Sequence, residues 1–109
     1  MALLLFLVAC ATEAPTTCVV DSDGWRPTWS NFGESWFVTW CASCHAADAP
    51  QRFGAPEQFI FDSEEQVINN IALIRTVVLG SSPSMPVGGG LPEEDRADVE
   101  RYLDCLEAR

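Results

Sequence analysis

Lysine is absent from this 109-residue chain: its six basic residues are all arginines, set against sixteen acids, for a net charge of −10. That balance argues against nucleic acid or anionic lipid as partners, since both call for a positive surface. It favours protein partners with neutral or basic docking sites. Histidine is nearly absent as well, His45 being the only one, and methionine is limited to Met1 and Met85. No apolar run approaches the roughly 20 residues of a membrane-spanning helix. No segment alternates convincingly as a strand and no period repeats, so neither a βαβ unit nor a repeat architecture is expected. What remains is one small domain, short of apolar area for a core of its own.

Against this sparse background stands Cys41-Ala42-Ser43-Cys44-His45. Cys-x-x-Cys-His is the spacing at which two thiols add to the vinyl groups of a haem while the adjacent imidazole ligates its iron. On a helical turn, residues three apart share a face, so Cys41 and Cys44 reach two points of one porphyrin edge and His45 falls under the ring. A thioredoxin-like redox pair would sit after a strand in a βαβ pattern, which this chain lacks. A structural zinc site needs four ligands, and with a single histidine it would have to recruit Cys10, Cys18 or Cys105, none of which forms a second close pair.

The second axial ligand follows by elimination. Protein donors to haem iron are His, Met, Cys thiolate and, less often, Tyr. His45 is already used and Met1 is the initiator, which leaves Met85 in Ser81-Ser82-Pro83-Ser84-Met85-Pro86-Val87-Gly88-Gly89-Gly90. A loop so rich in Pro and Gly is neither helix nor strand, and its Met-Pro step suits a thioether held towards a ring face. The alternative is a methionine filling a gap in the core. His/Met ligation raises the potential and closes both faces of the ring, which leaves electron transfer as the activity. Two rivals stand beside the carrier. One is a sensor or enzyme from whose iron Met85 dissociates; the other is a small haem subunit of a larger oxidoreductase complex.

The opening Met1-Ala2-Leu3-Leu4-Leu5-Phe6-Leu7-Val8-Ala9-Cys10 suits the hydrophobic region of a secretory signal. It lacks the usual positive n-region, which points to a misassigned start or an unusually short signal. Leu7-Val8-Ala9-Cys10 resembles the bacterial lipoprotein box, giving a signal over 1–9 and a lipidated Cys10. Ordinary cleavage after Ala11 is the alternative, yielding a soluble periplasmic or secreted protein. Residues 10–28 then read as a tether and an irregular N-terminal segment. Because acidic charge repels a membrane surface, attachment has to be covalent and to use more than one acyl chain. Of five cysteines, two for haem and one for lipid leave Cys18 and Cys105. In an oxidising compartment these are either a disulfide or two separate buried thiols.

The fold class expected is all-α. Phe32, Trp36, Phe37 and Trp40 recur at helical spacing and lead directly into Cys41. A loop bearing Asp48-Ala49-Pro50 and Gly54-Ala55-Pro56 follows. Asp62 or Ser63 caps a second helix, with Glu65 or Gln66 three residues on. Val67, Ile68, Ile71, Ile74, Val77 and Val78 form its apolar stripe, and Gly80 stops it. A last helix starts after Pro92 with Glu93, Glu94 and Asp95 at the positive end of its dipole, and its inner face is Val99, Tyr102, Leu103 and Leu106.

This order of aromatic helix, Cys-x-x-Cys-His, long loop, helix, Met-Pro loop and terminal helix resembles the class I monohaem cytochromes c over residues 29–109, and among them bacterial, often lipoprotein, members. The resemblance implies three main helices and loops wrapped around one covalently bound haem c. It implies a close crossing of the first and last helices at Gly33 and Phe37 against Val99, Tyr102 and Leu103. It also implies a Pro56 carbonyl that accepts the second ring N–H of His45, Trp40 in the haem environment, Arg52 or Arg75 on a haem propionate, and a Cys18–Cys105 disulfide. By that resemblance the partners are redox donors and acceptors. The missing lysines depart from the mitochondrial-type pattern. Without them, a methionine bond lost at high pH is expected to give way to hydroxide or to Tyr102.

Overall fold

The computed structural model describes residues 17–109. The signal over 1–9, Cys10 and the tether up to residue 16 lie outside the described residues. Among those described, the chain is all-α, with no strand. No helix there is long and apolar enough to cross a membrane.

Thr28 starts the first helix. Its side chain accepts the Asn31 N–H while the Asn31 side chain accepts the Thr28 N–H, a reciprocal capping box. A π-helical turn, Trp29–Gly33, continues into α1, Glu34–Trp40. At Cys41 the backbone leaves helical geometry (φ −122°, ψ −32°), and one further turn, α2, Ala42–His45, carries the cysteine–histidine motif. The motif therefore sits on its own helical turn rather than on a continuation of α1.

The expected second helix arrives in pieces: α3 (Glu64–Ile68), α4 (Ile71–Ile74) and a π-helical turn, Arg75–Leu79. Ser63 and Gln66 form the opening capping box, whereas Asp62 caps nothing and accepts the Ala47 N–H at 2.8 Å. The interruption falls at Asn69-Asn70. There the Asn70 side chain donates to the Gln66 carbonyl at 2.8 Å, the local competition with backbone that makes asparagine a poor helix interior. Ile68, one position off the buried row, is exposed; Val67, Ile71, Ile74 and Val78 stay buried. Gly80 ends the run as expected, in extended geometry. The Arg96 guanidinium, arriving from α5 (Glu93–Glu107), donates to the carbonyls of Val78, Leu79 and Gly80. A cation is favourable there because these are the unpaired carbonyls of a helix C-terminus.

α5 buries the predicted Val99, Tyr102, Leu103 and Leu106, and Cys105 with them. Cys105 is joined by a disulfide to Cys18. Arg101 then fixes the irregular segment that follows Cys18: it donates to the Val19 carbonyl and to Asp21, and stacks 5.1 Å over the Trp25 ring. Residues 18–25 are thus laid against the last helix.

The helix crossing is tight at Gly33. A Cβ there would lie 2.6 Å from Tyr102 Cζ, 2.7 Å from its hydroxyl and 2.9 Å from the Trp29 ring. Tyr102 is fully buried against the rings of Phe32 and Phe37 and has nowhere to go. Alanine gains about 1 kcal/mol of helix propensity over glycine, but overpacking costs up to about 3 kcal/mol. Gly33→Ala should therefore destabilise the protein by about 2 kcal/mol in denaturant unfolding. A variant as stable as the wild type would mean the two helices separate freely.

Candidate functional site

α1, the motif turn α2, α4, the π-helical turn after it and the loops around them line one cavity. It measures about 460 Å³, within the usual range for small-molecule and cofactor sites. Trp36, Phe37 and Trp40 wall it from α1; Leu73, Ile74, Val77 and Val78 wall it from α4 and the turn after it. Cys41, Cys44 and His45 line it from the motif turn, and Met85 lines it from the Pro- and Gly-rich loop. The two cysteines, the histidine and the methionine singled out in the sequence thus share one apolar chamber. No Asp or Glu side chain lines it, although the chain holds sixteen.

His45 is fixed on two sides. Its ring Nδ1 lies 2.7 Å from the Phe59 carbonyl oxygen, and its own carbonyl accepts the Phe61 N–H at 2.9 Å. A carbonyl only accepts, so Nδ1 carries the proton, and the lone pair of the neutral ring is left at Nε2. That is the tautomer a metal ligand requires. The expected acceptor, Pro56, is not the one used: its carbonyl already takes Arg52 Nη2 at 2.9 Å and the Phe59 N–H at 3.1 Å. Nothing in the sequence distinguishes the two carbonyls, because both belong to a loop without helix or strand.

Met85 is held by its backbone. Its N–H and that of Ser84 both donate to the Val77 carbonyl, at 3.0 and 2.9 Å, and its side chain packs against the core. Trp40 lines the cavity as expected. The two arginines separate. Arg52 lines the cavity, with its guanidinium on the carbonyls of Ala46, Ala55 and Pro56. Arg75 faces α5, paired with Asp104 at 2.7 Å and Glu107 at 2.8 Å, so it is unavailable to a group in the cavity. At the mouth, Phe53 and Val87 expose large apolar surfaces, 78% and 81% of their areas. Phe61 also lines the cavity, its ring centroid 5.2 Å from that of His45.

The alternatives to a haem fit less well. Burial pushes the Cys41 thiol up to about 12, opposite to the activated thiolate of a redox-active pair. Cys18 and Cys105 are committed to each other and cannot complete a zinc site. Among the described residues no cluster of three or more His, Cys, Asp or Glu side chains could hold a metal ion. The lining instead offers two thiols, an imidazole and a thioether within apolar walls, donors that would suit a covalently attached apolar ring bringing most of its metal's ligands itself. No family model matches the chain, and no curated protein or solved structure matches it.

Proposed function

We propose that this protein is a single-electron carrier of the class I cytochrome c type. One haem c is attached through Cys41 and Cys44 and ligated axially by His45 and Met85. A haem bound there supplies reversible one-electron exchange at its iron; the polypeptide attaches it, keeps water from it and sets its ligand strengths. One observation carries the reading: four residues scattered over 45 positions, chosen for their chemistry, line the same apolar cavity. The Nδ1-protonated tautomer of His45 supports it further, as does the close crossing at Gly33.

The protein acts on the periplasmic side of a bacterial membrane, tethered through a lipid on Cys10, and exchanges electrons with redox proteins. It is not an enzyme in its own right. Phe53 and Val87 at the cavity mouth offer an apolar surface on which a partner can approach the haem edge.

Intact mass of the protein exported through a maturation-competent host tests the whole proposal. The expected mass includes one covalent haem, two acyl-bearing additions at Cys10 after loss of residues 1–9, and two hydrogens fewer for the disulfide. A colourless product of polypeptide mass alone overturns the carrier reading. Haem without acylation overturns only the anchor.

A further inference from the structure

The hydrogen bonds around His45 close into a ring. Its Nδ1–H donates to the Phe59 carbonyl, and the Phe59 N–H donates to the Pro56 carbonyl. Arg52 Nη2 donates to that same Pro56 oxygen at 2.9 Å, and Nη1 returns to the Ala46 carbonyl at 3.2 Å. Ala46 is buried and follows His45 directly in the chain. Apart from the imidazole itself, every link is main chain except one: the guanidinium of Arg52. The loop between α2 and α3 contains no helix or strand to hold its carbonyls in place. Its two ends meet through the Phe61 N–H on the His45 carbonyl and the Ala47 N–H on Asp62. Between them the Arg52 side chain bridges the carbonyls of Ala46, Ala55 and Pro56. A planar guanidinium presents its donors in a fixed fork and can grip two carbonyls at a set separation, which the single compact head of lysine cannot do.

We infer that Arg52 is a positioning residue for His45: by bridging the Ala46 and Pro56 carbonyls it holds the Phe59 carbonyl on Nδ1, and so fixes how strongly the imidazole donates to a haem iron. The inference rests on the carrier reading above. Its physical basis is that the partner of the non-ligating nitrogen orients a histidine ligand and raises its basicity. A stronger imidazole donor favours the oxidised metal, so loosening the ring should raise the potential.

A purely electrostatic role for Arg52 predicts something different. Removing a positive charge beside the site would lower the potential, and keeping the charge would leave it unchanged. Arg52→Lys separates the two, since it retains the charge and loses the fork. In the haem-loaded protein, Arg52→Lys should raise the midpoint potential by the equivalent of a three- to tenfold change in the reduced-to-oxidised ratio, tenfold being about 59 mV for one electron. In NMR the His45 Nδ1–H should exchange with solvent several-fold faster, a signature that a merely structural residue would not confine to this proton. Arg52→Gln should show the same faster exchange.

An unchanged potential and exchange rate in Arg52→Lys, with wild-type protein carrying haem, overturns this inference alone. So does failure of both variants to acquire haem, which would make Arg52 a folding residue. Wild-type protein without covalent haem overturns the carrier reading and takes this inference with it.

Discussion

Replacing Met85 with alanine should abolish the Met-to-iron charge-transfer band of the oxidised protein and lower its midpoint potential by on the order of 100 mV, while haem stays covalently attached. The sign follows from ligand chemistry. A thioether is a soft, weak donor that favours ferrous iron, and what replaces it in an opened cavity is harder and favours ferric iron. The size reflects how widely axial ligands spread haem potentials. Attachment survives because Cys41, Cys44 and His45 sit on a different element, the single turn Ala42–His45 and its preceding residue. The polypeptide offers no substitute: His45 is the only histidine and lysine is absent.

The same scarcity governs alkaline behaviour. Raising the pH of the wild type should break the Met85 bond without producing an amine–imidazole spectrum. Tyr102, a candidate replacement on composition alone, is removed by its position: it is fully buried against Gly33, does not line the cavity, and burial raises its phenol above the ordinary range. An amine–imidazole spectrum at high pH would overturn this alkaline expectation, whereas an oxidised Met85→Ala protein that keeps its charge-transfer band would remove Met85 from the iron and leave it a core residue.

The parts legible in the sequence are those fixed by local chemistry or by exclusion. That Cys41, Cys44, His45 and Met85 lie around one cavity could be read because the Cys-x-x-Cys-His spacing and the scarcity of other donors single out these four residues. The inner face of α5 could be read because Val99, Tyr102, Leu103 and Leu106 keep one helical period without interruption. The second helix misled because its buried row, Val67, Ile71, Ile74 and Val78, keeps helical spacing across Asn69-Asn70, where the helix is nonetheless interrupted and the Asn70 side chain bonds the Gln66 carbonyl. The long-range work of the arginines was illegible. Arg96 caps a helix from sixteen to eighteen positions away, Arg101 reaches 82 positions back to Val19, and Arg52 redirects the partner of His45 from Pro56 to Phe59. A guanidinium on a main-chain carbonyl leaves no trace in composition or periodicity, since any carbonyl that the fold brings near will serve.

The second large effect concerns stability alone. The Cys18–Cys105 bond closes a loop of 87 positions, and in the chain-entropy model removing such a cross-link costs on the order of 4 kcal/mol. For a domain of this size that is a fall in Tm of roughly 20 °C. The double replacement Cys18→Ser with Cys105→Ser avoids leaving an odd thiol and should show this fall in thermal unfolding. Arg101 moderates it. With the bond gone, the guanidinium still holds Val19, Asp21 and Trp25, but partly exposed pairings of this kind contribute about 1 kcal/mol or less each. Arg101→Gln alone should therefore cost far less than the double serine variant. Neither change should move the visible spectrum or the potential, because no residue of the N-terminal segment or of α5 lines the cavity. A serine variant that unfolds within about 1 kcal/mol of the wild type would show that packing and Arg101 already hold the segment on α5. One that changes its spectrum at 25 °C would show that α5 supports the site through the π-helical turn that leads into α1, at the Gly33–Tyr102 crossing.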